Sequence, residues 1–255
     1  MTCAPKLIAY AIPGIPLIKA DDDIIAIIID RAAAAGIELR AGDTLVISSK
    51  IVSKSRGRVV ALDGIKPSVE AETVAGETGK DPRLVELILR QSRRVSRKRL
   101  GVLVTEHHLG MVSANAGVDQ SNIEMGDDMA LLLPIDPDGA ASDFRASIRR
   151  RLGIDLAIII SDTHGRPFRV GNVGVAIGAA GLPAVKDLRG KRDLYGRVLE
   201  VTQVAYADLV ASAAHLLCGE ADEGLPAVLL RGLDLEAPHG RAADLNRAAE
   251  HDLYR

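Results

Sequence analysis

Tryptophan is absent from this chain, and aromatic residues of all kinds make up only 2% of it. Proteins that hold single-stranded nucleic acid stack its bases on aromatic side chains, so that function is not expected. The formal net charge of −2 gives no general attraction to nucleic acid or to an anionic membrane. The sequence has no apolar run near the roughly 20 residues of a membrane helix, and prolines interrupt its apolar N-terminal stretch. We therefore expect a cytoplasmic protein without a signal peptide or a membrane segment.

Cysteine is scarce, and the familiar nucleotide-binding motifs are missing. Cys3 and Cys218 form no CxxC pair, so neither a zinc site nor a disulfide framework is indicated, and a reducing compartment is expected. The sequence has no GxxxxGK[ST] and no GxGxxG after a predicted strand, and it lacks GxSxG and HExxH. A P-loop and a Rossmann motif are therefore excluded, and any nucleotide must be bound by a less common arrangement.

Apolar segments typical of strands alternate with segments typical of helices, which predicts an α+β fold with mixed sheets, hairpins and packed helices. A chain of 255 residues suits a single module, which can also be built as two intimately joined lobes. The main predicted strands are 7–12, 44–48, 101–105, 111–114, 156–161 and 226–230. Helices are predicted over 21–35, from Asp81-Pro82 onward, over 140–152 and over 199–218. Residues 236–255 form a polar C-terminal tail that we expect to be frayed.

Four polar loops, 117–122, 161–165, 186–197 and 219–224, follow apolar segments. Carboxylates at such positions are natural ligands of Mg²⁺ or Mn²⁺, which prefer oxygen. Spacing alone leaves plainer interpretations open. Asp162 and Thr163 can form an Asx-turn at the start of a loop that extends to residue 169, and Asp119 and Glu220 can be surface acids. His164 is more typical of a hydrogen-bonding loop residue than of a ligand.

Two runs of basic residues are candidates for anion binding. Residues 90–99 contain six arginines and lysines, which is typical of a solvated helix face; the alternatives are a phosphate-binding edge or an acidic partner. Residues 186–197 interleave basic side chains with glycine and aspartate, which favours an anion-binding loop. In the helix predicted over 199–218, Val201, Val204, Leu209, Ala213 and Leu216 are interpreted as core residues.

Several segments carry a family resemblance when they are taken in order. They are 14–18 (GIPLI), 42–50 (GDTLVISSK) with 53–54 after it, 115–122 (NAGVDQSN), 132–134 followed by 136–139, 161–166 (SDTHGR), 186–188 (KDL), 193–197 (DLYGR) and 219–232. Together they resemble the coenzyme F420-0:L-glutamate ligase family. The resemblance covers about residues 6–235, and the ordered set is more specific than any one of its motifs.

The resemblance implies a GTP-dependent ligase that acts alone, without a second catalytic domain. In this family the terminal carboxylate of coenzyme F420-0 takes the γ-phosphoryl group and becomes an acyl phosphate. The amine of L-glutamate then displaces phosphate, which gives a γ-glutamyl amide, GDP and phosphate. The implied cofactors are Mn²⁺ or Mg²⁺, as two divalent ions, with K⁺ in some members. A homodimer is also implied, with no nucleic-acid or membrane partner.

The family's functional positions carry over by motif. The implied metal ligands are Asp119, Asp162, Thr163 and Glu220. The implied nucleotide-binding residues are Ile15, Pro16, Leu17, Ile18, Ser48, Ser49, Lys54, Asn122, Cys218, Gly219, Glu220, Ala221, Asp222, Glu223, Gly224 and Leu225. No catalytic acid or base is indicated. The segment 220–224 is poorer in glycine than is usual in the family. From the residues alone, a metal-dependent phosphohydrolase and a nucleotide-binding regulatory module remain alternatives.

Overall fold

The computed structural model describes residues 4–123 and 126–252, the side chain of Asp127 excepted. The strands are β1 Ile8–Ala11, β2 Thr44–Ser48, β3 Val59–Ala61, β4 Ser92–Arg99, β5 Val102–His107, β6 Val112–Ala114, β7 Met129–Leu131, β8 Ala157–Arg166, β9 Arg169–Ala180, β10 Val185–Asp187, β11 Gln203–Ala205 and β12 Ala227–Arg231. The helices are α1 Ile24–Ala34, α2 Ser49–Ser55, α3 Val69–Thr78, α4 Pro82–Arg90, α5 Pro137–Leu152 and α6 Tyr206–Cys218.

A five-stranded mixed sheet in the order β1-β12-β2-β8-β9 forms the centre of the molecule. Strands β2 and β8 run parallel, and the other neighbours are antiparallel. Along β8, Ile158 and Ile160 pack into the core on one face of the sheet, while Ile159 packs into the core on the other. The apolar run at 156–161 was predicted to be a strand buried on both faces. That prediction and the α+β fold class are confirmed.

Helices cover both faces of this sheet. The first core contains side chains of α1 and α5, and the second contains side chains of α6. Gly178 of β9 allows α5 to approach closely, because a Cβ at this position would lie 2.3 Å from the carbonyl oxygen of Pro137. The start of α5 is thereby fixed against the sheet, with Asp136 accepting a hydrogen bond from the backbone N–H of Gly139.

A third apolar core lies away from the central sheet and is built by α3, α4 and the segments around β3, β5 and β7. We call this region the side lobe. Helix α4 begins as predicted: Asp81 caps it by accepting a hydrogen bond from the N–H of Arg83, and Pro82 occupies the first turn. Strands β5 and β6 pair antiparallel, which confirms the hairpin predicted for this part of the chain. The side lobe therefore has an apolar core of its own, separate from the two cores of the central sheet.

The polar loop predicted for residues 162–169 is wrong, because these residues form a β-hairpin. Strand β8 continues through Asp162 to Arg166, and β9 pairs with it along its length, Asp162 opposite Val175 and Thr163 opposite Gly174. Pairing with a neighbouring strand satisfies the backbone groups of these polar residues, a nonlocal contact that local polarity does not reveal.

Two further expectations are corrected. The helix predicted from residue 199 begins at Tyr206, because residues 203–205 pair with β10 instead. Val201, Leu209 and Leu216 are 83%, 58% and 85% exposed, so they are not core residues. The basic run at 90–99 is not a helix face: it lies mostly on β4, where Arg94 forms an ion pair with the buried Glu106 at 2.8 Å.

Residues 240–242 are held to the body of the protein, so this part of the C-terminal segment is not frayed. Ala242 is buried, and its N–H donates to Asp138 at 2.8 Å, while the N–H of Gly240 donates to the carbonyl of Leu182. No helix in residues 4–123 and 126–252 has the length and apolar character needed to cross a membrane.

Candidate active site

A cavity of about 260 Å³, here called the first cavity, lies between the central sheet and the side lobe. Five of the predicted site residues line it: Ser49, Asp119, Asp162, Thr163 and Glu220. They are far apart in sequence and come from α2, from the segment after β6, from β8 and from the segment after α6. The fold therefore brings the four implied metal ligands to one cavity.

Asp162 sits where β8 leaves the buried part of the sheet. Its Oδ1 accepts a hydrogen bond from the Ser49 hydroxyl at 2.9 Å, and its Oδ2 lies 3.3 Å from Nε2 of His164. Ser49 is the first residue of α2 and is itself buried, so its hydroxyl has a fixed position. Because β2 and β8 are parallel neighbours, Ser48 lies opposite Ser161. The parallel pairing thus places the start of α2 beside Asp162.

Asp119 is bound by a lysine that the sequence analysis did not select. The Nζ of Lys50 lies 2.8 Å from Oδ2 of Asp119 and 2.7 Å from the hydroxyl of Ser121. The backbone N–H of Ser121 donates to Oδ1 of the same carboxylate at 2.8 Å. Burial alone would raise the pKa of Asp119, but these hydrogen bonds and the lysine charge outweigh it and hold the pKa below its usual value. Asp119 is therefore held as an anion.

Glu220 closes the cavity from the segment after α6. Its Oε1 accepts a hydrogen bond from the Thr163 hydroxyl at 3.0 Å and lies 3.2 Å from Nδ1 of His215. The neighbouring Ala221 carbonyl accepts a long hydrogen bond of 3.4 Å from the amide of Asn122, and the carbonyl of Asn122 accepts from Nζ of Lys54 at 2.7 Å. The segments around residues 122 and 220, both predicted to bind nucleotide, are thus neighbours.

The backbone beside the first cavity is unusual. Asn115, Ala116 and Gly117 follow one another with φ values of 53°, 52° and 66°. Two consecutive non-glycine residues in this region are uncommon, and such backbone is concentrated at functional sites. Only glycine fits at position 117, because a Cβ there would lie 2.6 Å from a methyl carbon of Leu133. The strained turn places Asp119 against the cavity.

The other predicted nucleotide residues do not line this cavity. Ile18 is buried in the first core, and Leu17 is 80% exposed. The segment that contains them is joined to α2 by a hydrogen bond from the N–H of Asp21 to the carbonyl of Ser55. The remaining predicted positions outside the cavity lining are Ile15, Pro16, Ser48, Lys54, Asn122, Cys218, Gly219, Ala221, Asp222, Glu223, Gly224 and Leu225. Their role in nucleotide binding stays a prediction.

Sequence reasoning missed Lys50, Ser53, Ser121 and Asn172, which also line the first cavity. A signal for the first two was present. Ser49, Lys50, Ser53 and Lys54 have the spacing of one helix face, and Ser49 and Lys54 were already selected. For Asn172 no local signal existed, because it reaches the site through the pairing of β9 with β8, opposite Gly165.

The side chains present fit a hard divalent cation by their chemistry. Three carboxylates and one threonine hydroxyl line the first cavity, and oxygen donors of this kind are preferred by Mg²⁺ and Mn²⁺. In the part of the chain that the structure describes, no three histidine, cysteine, aspartate or glutamate side chains are already grouped closely enough to hold a metal ion. The carboxylates instead bind Lys50, Ser49 and Thr163.

A larger cavity of about 660 Å³, here called the second cavity, lies next to the first. His164 lines it, together with Asp208 and residues 241–243. Asp208 accepts a hydrogen bond from the N–H of Ala176 at 2.9 Å, and burial raises its pKa. In contrast, no residue of the basic loop 186–197 lines either cavity within the described chain. There, Lys186 binds Asp234, and Arg189 binds Asp187.

The fold and site define an α+β protein with a carboxylate-lined cavity and neither a P-loop nor a dinucleotide-binding motif. The profile of the F420-0:gamma-glutamyl ligase family matches residues 14–232, and the chain belongs to this family. Coenzyme F420:L-glutamate ligase of Methanothermobacter thermautotrophicus is 48% identical over 246 residues, which cover 96% of this chain and 97% of the relative. The proteins of the same name from Methanopyrus kandleri and Archaeoglobus fulgidus are 46% and 41% identical, over 98% and 96% of this chain and 98% and 95% of their own lengths.

Proposed function

We propose that this chain joins L-glutamate to coenzyme F420-0 in a GTP-dependent reaction. The observation that carries the proposal is the match with relatives named coenzyme F420:L-glutamate ligase over nearly the whole of both chains. The first cavity supports it, because a small polar space lined by three carboxylates and a lysine suits phosphates and cations better than an apolar ligand. Membership of a ligase family disfavours the phosphohydrolase and the regulatory module.

The proposed reaction has two steps. First, an oxygen of the acceptor carboxylate attacks the γ-phosphorus of GTP, the bond to the β-phosphate oxygen breaks, and GDP leaves. Second, the neutral amine of glutamate attacks the carbon of the resulting acyl phosphate, the C–O bond breaks, and phosphate leaves while the nitrogen loses one proton to solvent. The first step makes sense physically because a carboxylate becomes a good electrophile only when it carries a good leaving group.

The residues of the first cavity would position and neutralise the phosphates. Asp119, Asp162, Thr163 and Glu220 would hold divalent metal, which, when bound, supplies positive charge that offsets the repulsion between a triphosphate and a carboxylate. Lys50 adds a point charge in the same space. The backbone around Asn122 and Ala221, joined by a hydrogen bond, would form the adjacent part of the nucleotide site. Mn²⁺ or Mg²⁺, K⁺ and the preference for GTP all belong to this proposal.

The activity is tested by incubating the protein with coenzyme F420-0, L-glutamate, GTP and Mn²⁺. Mass spectrometry of the acceptor should show a gain of one or more glutamyl units, with GTP used in preference to ATP. Separate reactions that omit glutamate or the acceptor are the controls. GDP formation over many turnovers should require both, because without glutamate the reaction stops at the acyl phosphate. Phosphate release without glutamate would favour a hydrolase, and binding of GTP without any turnover under Mn²⁺ or Mg²⁺ would favour a regulatory module.

We further propose that the chain forms a homodimer. Val170, Leu194 and Val201 are 98%, 100% and 83% exposed, and Leu216 on α6 is 85% exposed. We infer that these side chains belong to one subunit interface, because large exposed apolar patches mark protein interfaces. We expect light scattering at micromolar concentration to give twice the mass of 27.0 kDa, with an interface above roughly 2,000 Å² in total. Leu216→Glu should weaken the dimer, whereas Leu100→Glu, on an exposed residue of the side lobe, should not. A monomeric wild type would contradict the proposal.

A further inference from the structure

The second cavity differs from the first in size and in lining. It has room for about 660 Å³, whereas the first cavity has about 260 Å³. Its walls combine apolar side chains, among them Met111, Val175 and Ile177, with charged ones. The charged side chains are Arg93, Arg241, Asp136, Asp138 and Asp208. Clefts of roughly 300–1,000 Å³ are typical of sites for drug-sized organic ligands, and the second cavity has that size. Phosphate and metal binding do not need such a space.

Asp162 and His164 connect the two cavities. Asp162 lines the first cavity and His164 lines the second, and their Oδ2 and Nε2 atoms are 3.3 Å apart. Both residues come from β8 and lie two positions apart, so they share one face of the strand. A ligand in the second cavity can therefore present one end to the carboxylate that we assign to phosphate and metal chemistry. The larger cavity adjoins the reacting centre rather than an unrelated surface.

The second cavity has a cation available for an anionic ligand. The side chain of Arg241 is 70% exposed, and its nearest carboxylate is Asp138, with an N–O distance of 3.6 Å. Asp138 already accepts hydrogen bonds of 2.8 Å from the backbone N–H groups of Ala179 and Ala242. These bonds fix the C-terminal segment as a wall of the cavity and leave the guanidinium of Arg241 only loosely held.

We propose that the second cavity binds the carboxylate acceptor, the deazaflavin substrate, with its reactive end directed past His164 toward Asp162. This inference rests on the proposed function. The size of the cavity decides between glutamate and the acceptor, because glutamate would fill only a small part of it, whereas a fused-ring acceptor can use its apolar side chains. Arg241 attracts the negative charge of the acceptor. GTP and the acceptor thus approach Asp162 from opposite sides, as transfer of a phosphoryl group between them requires.

The proposal is tested by filling the second cavity. Ala243 lines it and is exposed, so an indole at this position should occupy ligand space without disturbing the core. Ala249 is an exposed residue of the same C-terminal segment and lines neither cavity. We expect Ala243→Trp to weaken acceptor binding at least tenfold, measured by titrating the protein into the acceptor and following the deazaflavin absorbance or fluorescence. Ala249→Trp should stay within twofold of wild type.

A second pair of variants tests the charge without adding bulk. Arg241→Gln should weaken acceptor binding about fivefold, while Arg247→Gln, in the same segment, should not change it. GTP affinity, measured separately, should be unchanged in all four variants. Wild-type acceptor binding by both Ala243→Trp and Arg241→Gln would overturn the proposal. A raised Michaelis constant for glutamate with unchanged acceptor binding would also overturn it, in favour of glutamate.

These binding measurements do not depend on turnover, so they separate the inference from the proposed function. If wild type bound the acceptor in the second cavity but formed no glutamylated product, the function would fail and the binding site would stand. If product formed normally in Ala243→Trp, the function would stand and the binding site would be overturned. Thermal melting of each variant confirms that the compared proteins are folded.

Discussion

Replacing Asp162 by asparagine is expected to lower turnover at least a hundredfold, a loss of about 2.7 kcal/mol of transition-state stabilisation. Asparagine keeps the shape of the side chain and an oxygen that can accept the hydrogen bond from Ser49. It removes one negative charge and one strong oxygen ligand from the wall shared by the two cavities. The loss should therefore appear in turnover and metal binding rather than in folding.

Two measurements separate this role from a structural one. The melting temperature of the metal-free variant should equal or exceed that of wild type, because a partly buried charge is removed. Added Mn²⁺ should stabilise wild type by mass action and the variant much less. Asp30→Asn is a suitable control, since this acid on α1 has a side chain that is 79% exposed. If Asp162→Asn kept near-normal turnover and the same rise in melting temperature on addition of Mn²⁺, Asp162 would have only a structural role in the hairpin.

The position of Asp162 could be predicted in part from the sequence. The apolar run before it is long enough for one strand and rich in β-branched residues, so a buried strand ending near Ser161 was a sound expectation. What the sequence did not reveal was the continuation of β8 to Arg166, because that depends on pairing with β9. The polarity of a segment indicates whether it is exposed, not whether it is a strand. Strand β8 has a buried first half and a partly exposed second half, so its polar end looks like a loop in the sequence. The local structure predicted for Asp162 was therefore wrong, and its role in the site stays a prediction.

At the beginning of α6 the sequence pattern predicts more helix than the structure contains. Residues 199–218 have an apolar pattern compatible with a long helix, yet Gln203 pairs with Asp187 and the helix starts only at Tyr206. The pattern predicts that the large apolar side chains of this segment lie in the core, but Leu216 is exposed. Helical periodicity reports that one face is apolar, not which surface covers it. A partner subunit would explain the exposed leucine, and that is the subject of the dimer prediction.

The composition of the first cavity was predictable only where residues share one local element or a recognised motif. Ser49, Asp119, Asp162, Thr163 and Glu220 came from the family motifs, and the structure brings them to one space. The contact between Lys50 and Asp119 joins residues far apart in sequence and requires the side lobe to pack against α2. Periodicity and capping signals are local, so they do not predict a contact between residues this far apart in the sequence. This lysine therefore provides the sharpest test of what the structure adds.

We expect Lys50→Met to lower turnover about a hundredfold, again about 2.7 kcal/mol. The ammonium group lies in the first cavity beside Asp119, where phosphate is proposed to enter, and methionine keeps the length of the side chain without its charge. The effect on stability should be below about 1 kcal/mol, because both side chains of the ion pair are about one-third exposed and solvent screens them. Lys66→Met, at an exposed lysine outside both cavities, is the control.

In Lys50→Met the affinity for Mn²⁺ should rise, although turnover falls. In the free protein, Lys50 supplies the positive charge next to Asp119, and a divalent ion must share that carboxylate with it. Removing the lysine should therefore raise the affinity of the nucleotide-free protein for Mn²⁺ several-fold, measured by calorimetry or by the resonance signal of free Mn²⁺. Lys50→Arg keeps the charge and should retain the wild-type Mn²⁺ affinity with partial activity. A methionine variant with normal turnover and unchanged Mn²⁺ affinity would show that the Lys50–Asp119 contact is an ordinary surface ion pair. Removing a charge that acts on the phosphates must change turnover, and removing one that competes with the metal must change the Mn²⁺ affinity.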